Sequence, residues 1–451
     1  MPNNALETRL EAILERRRQE SRLRILKSSP ADAVDLSSND FLSLSTSADF
    51  RADYLKELNE SDFTLGSTGS RLLDGNSTFA EKLEHDVAQF HGAPAGLLTN
   101  SGFDANVSIF TCLPQPGDVI VYDELIHASV HDGMRQSRAK ELMVFRHNDV
   151  EHLRRVLTRL STGSLKPNIF VAVESVYSME GDLAPLLEIV ELLEELFPAG
   201  NAHLIADEAH ATGIYGPRGA GRVSELGLQD RVSIRLHTFG KALACNGGRS
   251  DRCASFDISL TDHLAIILCS PVIRSYLINY ARPLIYTTFM SHPSLAAIKV
   301  AYDRLEDGRA DKLSRHLSHL IDHLHNRLQV LAEEIESLED ESLLALPIEC
   351  PRSPIFALLS SQPRSLATHC QADGFTVRAV VPPTVPDGTE RVRVCLHAGN
   401  TEEQIDRFVA SVSDWLVRQK GVRMKMTVKR LRDIADGPVK SRTLSSPSSK
   451  L

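Results

Sequence analysis

His203-Leu204-Ile205-Ala206-Asp207-Glu208-Ala209-His210-Ala211-Thr212-Gly213 is an apolar run that closes on two acids, a histidine and a glycine. A short apolar run bounded by turn residues reads as a strand buried on both faces of a parallel sheet. Asp207 then sits at its carboxyl end. Working outward, Val232, Ile234 and Leu236 make a second such run, which leads into His237-Thr238-Phe239-Gly240-Lys241-Ala242. These two, bounded as His203–Asp207 and Ser233–Thr238, and the further runs Ala95–Thr99, Val119–Tyr122, Leu142–Phe145 and Ile169–Glu174 alternate with helical patterns. This alternation predicts an α/β fold with a mostly parallel sheet covered by helices. Ligands of such sheets gather beyond the strand carboxyl ends, where Glu174, Asp207 and Lys241 fall.

The rest of the chain frames that region. Residues 5–27 read as an amphipathic helix, and Asp35 to Leu44 as a short strand and turn. A long helix is expected over 293–338, and short strands with a helix from Pro347 to Trp415. The predicted organisation is an N-terminal helix and arm (1–50), a large domain (51–290), a linking helix with a smaller α+β C-terminal domain (291–420), and a tail (421–451). At 451 residues and net charge −9, the chain has room for two domains and no global basic footprint for nucleic acid. Its seven cysteines form no CxxC pair, which reads as reduced thiols. No apolar run reaches the length of a membrane span. The final Ser449-Lys450-Leu451 matches the tripeptide read by the peroxisomal import receptor, so a peroxisomal location is expected.

A lysine after a strand end, preceded by Thr and followed by small residues, suits an amine that holds pyridoxal 5'-phosphate (PLP). That cofactor withdraws electrons only while its pyridine nitrogen is protonated, which a buried carboxylate favours. Asp207 is the candidate. His210 could reach the ring oxygen, and His127, in Ile126-His127-Ala128-Ser129, could stack on the ring. Ser101-Gly102-Phe103 opens an apolar helix whose N–H groups suit a phosphate, with the Thr238 hydroxyl beside them. Singly, Asp207 could cap a helix, His127 could be a core histidine and Gly102 a mere turn. Their order, ending in Lys241, points to the cofactor.

With these phrases in view the chain resembles the α-oxoamine synthases, a branch of the fold-type I PLP enzymes. Further matching phrases are Ser38-Asn39-Asp40-Phe41-Leu42, Gly66-Ser67-Thr68-Gly69-Ser70-Arg71, Glu174 to Asp182, and Pro382-Pro383-Thr384-Val385-Pro386. The last is similar to the oxononanoate-forming branch of biotin synthesis. The resemblance implies that Lys241 carries PLP, Asp207 holds the pyridine nitrogen and His127 stacks. It implies that His210 and Ser178 contact the ring oxygen. Ser101, Gly102, Phe103 and Thr238 hold phosphate, with Thr288 reaching it from a second copy in a homodimer. Arg393 grips the amino-acid carboxylate, and Asn39 and Arg24 touch substrate. The implied reaction is a decarboxylating condensation of L-alanine with an acyl-CoA, expected to be pimeloyl-CoA, giving 8-amino-7-oxononanoate, CoA and CO2. No metal is implied.

Two departures stand out. Val381 occupies the position before Pro382 where the family usually has an arginine. Gly248 to Leu264 interrupts the family's spacing between Asn246-Gly247 and the strand Ala265–Cys269. It reads as a surface loop, a flap or, preferred, a retained short intron, and sequencing the transcript decides.

Other functions fit less well. Asp207-Glu208-Ala209-His210 spells a helicase box, but no GxxxxGK[ST] accompanies it. His316, His319 and His323 share a helical face without the carboxylate set of a zinc enzyme. Within the family, glycine C-acetyltransferase, 5-aminolevulinate synthase and polyketide- or sphingoid-type condensing enzymes are alternatives. A scaffold subunit without activity is a further one.

Overall fold

The structure, a computed structural model, describes residues 4–20, 23, 25, 30, 32–60, 62–162, 167–245, 264–336 and 343–420. Arg24, the tail with Ser449-Lys450-Leu451, and Gly248 through His263 lie outside the described residues. The chain divides into a small unit, Met1–Ala33, and a large one beginning at Val34. In the small unit the helix is Ala5–Gln19, shorter than the expected 5–27. Asn4 caps it by accepting from the Leu6 N–H at 3.1 Å, and Arg16, Arg17 and Arg18 in the last turn complement the helix dipole.

In chain order the strands of the large unit are β1 (Val34–Asp35), β2 (Ala95–Thr99), β3 (Val119–Asp123), β4 (Glu141–Phe145), β5 (Ile169–Glu174), β6 (Ala202–Asp207), β7 (Ile234–Thr238), β8 (Ala265–Cys269), β9 (Leu344–Ala345), β10 (Ile355–Ser360), β11 (Phe375–Thr376), β12 (Arg378–Val380) and β13 (Arg391–Cys395). The main sheet runs β2-β8-β7-β6-β5-β3-β4, and all pairs are parallel except those of β8. Every residue of β5, β7 and β8 is buried, which explains the apolar run of β8 and of β5 up to Glu174, while β7 carries Arg235, His237 and Thr238 into the interior. Two apolar clusters cover the sheet's faces: one holds Ile189, Leu193 and Leu157, the other Ile109, Phe110 and Leu277.

Leu264, which the sequence reading assigned to the interruption, belongs to the fold. It is buried, and its carbonyl accepts from the Phe239 N–H at 2.8 Å, so the ladder of β7 and β8 starts there. The expected long helix is two, His292–Glu306 and Arg309–Glu336. Gly308, at φ +76°, supplies the left-handed residue that ends the first.

A second sheet has the order β12-β13-β10-β9, antiparallel throughout. Loops tie it to the main sheet's carboxyl edge. Gly181, at φ +79°, lies so near β10 that an added Cβ would sit 2.1 Å from the Ile355 carbonyl oxygen. β1 pairs with β11, and the Leu36 carbonyl accepts from the Cys395 N–H at 2.9 Å. The stretch carrying Asn39 is thereby laid beside β13.

Candidate active site

Asp207 ends β6 with its side chain buried. One oxygen accepts from the Ala209 N–H at 3.0 Å, and the other from Asn106 Nδ2 at 2.8 Å. Asn106 also donates to Ser129 Oγ at 3.0 Å, and Ser129 Oγ meets His127 Nδ1 at 2.7 Å. One chain of hydrogen bonds thus fixes Asp207 and the exposed His127 ring together. Sequence reasoning assigned Asn106 no role. The available signal was a lone amide one turn beyond Gly102 in an otherwise apolar helix, a position that stays buried only with partners.

Lys241 follows β7 in a tight turn closed by the Cys245 N–H on the Phe239 carbonyl at 2.8 Å. Burial holds its amine below the ordinary lysine range. The charges of Asp207 and Glu174 oppose that shift, and Arg393 adds to it. His210 is buried, its Nδ1 has no partner among the described residues, and burial with nearby Lys241, Arg393 and His127 keeps it neutral. Glu174 ends β5 beside Asp207. Burial and that carboxylate hold its own carboxyl well above the usual range, and its Oε1 is unpartnered. Glu174 belongs to this cluster although it was assigned no role from sequence.

The helix Gly102–Cys112 starts at the end of β2. Ser101 caps it by accepting from the Asp104 N–H at 2.9 Å, which leaves the Gly102 and Phe103 N–H groups as its free donors. The Phe103 side chain itself is exposed, so only its backbone faces this task. Thr238 crosses the helix start so closely that a Cβ on Gly102 would lie 2.6 Å from its Cγ2. Thr288 is exposed, and its carbonyl accepts from Asn100 Nδ2 at 2.8 Å.

From the second sheet, Arg393 Nε donates to the Ser178 carbonyl at 2.6 Å and Nη2 to Asn39 Oδ1 at 2.9 Å. The structure therefore brings Lys241, Asp207, His210, Asn39, Ser178 and Arg393 to one place. The histidines once weighed as metal ligands are far from it in role: His319 meets Glu402, and His323 meets Asp406 at 3.0 Å, pairing two helices.

Residues 31–412 match the aminotransferase class I and II family. The chain belongs to that family. It is 50% identical to 8-amino-7-oxononanoate synthase of Emericella nidulans over 90% of this chain and 95% of that protein. It is 40% identical to the aminoacyl transferase sphA of Aspergillus fumigatus over 85% of this chain and 81% of that protein. A structure of SPT with PLP has a TM-score of 0.76 at 24% identity, covering 93% of this chain and all of that one, a likeness that bears on the fold.

The family's cofactor can be tested against this chain's geometry. Asp207 is pinned at both oxygens yet keeps lone pairs for a third donor. His210 offers an unpaired ring nitrogen, the Gly102 cradle has no Cβ, and Lys241 lies half-buried among them. These groups fit PLP: an acid for the pyridine nitrogen, a neutral imidazole for the ring oxygen, a helix start for the phosphate and an amine for the carbonyl.

Proposed function

We propose that this protein is a PLP-dependent C-acyltransferase that condenses L-alanine with pimeloyl-CoA, releasing CoA and CO2 and forming 8-amino-7-oxononanoate for biotin synthesis. The observation that carries the reading is the half-identity to the Emericella nidulans synthase along nearly its whole length, joined to an intact lysine, acid and arginine cluster. When bound, PLP supplies an electron sink for the carbanion at the substrate Cα. Asp207 would keep the pyridine nitrogen protonated, the Gly102 and Phe103 N–H groups with Thr238 would hold the phosphate, and His127 would lie against the ring. Arg393, fixed by Ser178 and Asn39, takes the amino-acid carboxylate in a bidentate grip and so orients the Cα–H bond. Lys241, biased toward the neutral amine by burial, removes that proton. A C–C bond then forms between Cα and the thioester carbon, and the C–S bond to CoA breaks, the sulfur leaving as thiolate to be protonated. The bond to the carboxylate breaks as CO2 leaves with its electron pair staying on Cα, and Cα is reprotonated.

The measurement is CoA thiol release with L-alanine, glycine or L-serine across pimeloyl-, acetyl-, succinyl- and palmitoyl-CoA. Turnover confined to a pair other than L-alanine with pimeloyl-CoA would sink the assignment. The similarity to sphA favours a second reading, a sphingoid-type condensation, which the palmitoyl-CoA arm tests.

A homodimer completes the site in this reading. Leu65, Leu72 and Leu73 are exposed in the loop region before the helix Thr78–Phe90, Phe103 at the start of its helix and Tyr286 at the end of the helix Arg282–Tyr286. The loop is tied to the latter region where the Gly69 carbonyl accepts from the Phe289 N–H at 2.9 Å. An apolar surface of this kind suits a second copy, and light scattering checks it. Ser449-Lys450-Leu451 would direct the enzyme to peroxisomes, and a fluorescent fusion with and without these residues tests that.

A further inference from the structure

The second sheet presents a row of arginines. β12 and β13 pair with Arg378 opposite Arg393, Ala379 opposite Val392 and Val380 opposite Arg391. Residues directly opposite in an antiparallel pair share one face, with Cβ atoms about 5 Å apart. Ala379 and Val392 pack into the core, so Arg378, Arg391 and Arg393 lie together on the other face.

Their charges are compensated unequally. Arg391 donates to Glu180 Oε1 at 2.8 Å, a full ion pair, and to the Met179 carbonyl at 3.1 Å. Arg393 meets neutral acceptors, the Ser178 carbonyl and the Asn39 amide oxygen. Arg378 is exposed and takes no partner among the described residues. Of three guanidiniums in the row, one is matched by a carboxylate and two are left with charge to spare. A condensation of an amino acid with an ω-carboxyl acyl thioester brings two carboxylates to the site.

We propose that Arg378 is a specificity-determining residue for the acyl donor, binding the carboxylate at the far end of a medium-length ω-carboxyl acyl chain. Arg393 keeps the amino-acid carboxylate. The inference rests on the condensing-enzyme reading above and names the group that selects its second substrate. Arg393 acts electrostatically on Lys241 and His210, so Arg378 stands one cross-strand step from the reaction centre. A distal carboxylate lies only a few bonds beyond the thioester carbon, so a group beside Arg393 on the same face of the sheet is placed to meet it. The phosphates of CoA, by contrast, lie a whole pantetheine arm away on the other side of the sulfur. β12 is an edge strand, so Arg378 remains open to an arriving chain. A guanidinium holds a carboxylate through two parallel N–H donors, which an ammonium cannot copy.

The test uses holoenzyme with wild-type sequence, Arg378→Ala and Arg378→Lys, assayed with L-alanine and two thioesters of equal length, pimeloyl-CoA and heptanoyl-CoA. Arg378→Ala should raise KM for pimeloyl-CoA roughly 10- to 100-fold, with kcat and the L-alanine KM within about twofold. Heptanoyl-CoA kinetics should be unchanged, and Arg378→Lys should recover part of the loss. An equal loss on both thioesters, no loss on either, or a raised L-alanine KM overturns the assignment. A wild-type enzyme that turns over no ω-carboxyl thioester overturns the oxononanoate reading itself, before any variant is compared, and Arg378 falls with it. Melting temperatures of the exposed-site variants should match wild type, so a lost fold would be recognised.

Discussion

Asp207 and Glu208 are neighbours in the chain and serve opposite sides of the sheet. Asp207 faces Asn106, Ser129 and His127, a network that stays open toward Lys241 and His210. Glu208 faces the closed interior. It accepts from the Val223 N–H at 3.0 Å and lies 3.5 Å from His237 Nε2. His237 in turn stacks at 4.0 Å on His91, whose Nε2 meets the Tyr302 hydroxyl at 2.8 Å. Both histidines are kept neutral, first by burial. The Glu208 contact is therefore a dipolar one rather than an ion pair. Adjacent residues on an extended chain point to opposite faces, and here that alternation separates chemistry from structure within one dipeptide. The open side keeps unpaired atoms, His210 Nδ1 and Glu174 Oε1, for a ligand. The closed side also holds unpaired atoms, Glu208 Oε2 and His237 Nε2, but it leaves no room for a ligand: a Cβ on Gly221 would meet Glu208 Oε2 at 2.4 Å.

The sharpest way to break this contrast is to remove the amine on the open side. Lys241→Ala should lower kcat by about ten-thousandfold, the scale of losing a positioned base and covalent anchor. Before L-alanine is added, the absorbance band of bound PLP should be that of the free aldehyde rather than the one wild type shows. Asp207→Asn comes next. The amide oxygen can still accept from the Ala209 N–H, but its NH2 then faces the Asn106 donor and it cannot stabilise a protonated ring nitrogen. So kcat/KM should fall about a thousandfold, with a loss of about 1–3 kcal/mol of stability, smaller than the loss of activity. Glu208→Ala should do the reverse. It strips the buried Val223 N–H of its partner and leaves a void beside His237, and should cost about 3 kcal/mol of stability in denaturant titration, with near-normal turnover per folded molecule. Loss of activity without loss of stability in Glu208→Ala would erase the distinction.

How much of this was written in the sequence differs between the two sides. The strands of the main sheet and the candidates Asp207, His210 and Lys241 were legible because buried parallel strands are nearly pure apolar runs, so a polar residue at their ends stands out. Asn106 was harder: it is polar within a helix, and only the fold shows that it points at Asp207. Glu174 stood out at its strand end, but its place beside Asp207 shows only in the pairing of β5 with β6. The helix after His292 was read as one because a single glycine is a weak stop signal, and the left-handed turn at Gly308 appears only in the backbone. The pairing of Arg378 with Arg393 spans a loop whose length fixes no register, so their adjacency was invisible.

The finest test of the closed side is its pH response. Burial raises the Glu208 carboxyl from its usual range to about 7, and the Val223 N–H only partly offsets this. A folded-state value above the unfolded one means that the folded protein holds the proton more tightly. That contribution is complete below about pH 4.5 and is lost as the pH rises to about 7. Wild-type stability should therefore decline across this window relative to Glu208→Gln, by on the order of 3 kcal/mol. His147 provides a control of the same sign in another window. Burial disfavours its charge, but hydrogen bonds to Asp123 at 2.9 Å and Asp182 at 2.8 Å outweigh that and raise it to about 10. The margin of wild type over His147→Gln should be full below about pH 6.5 and vanish near 10. If the Glu208→Gln difference instead tracked the His147 window, the closed cluster would be titrating through a group other than Glu208.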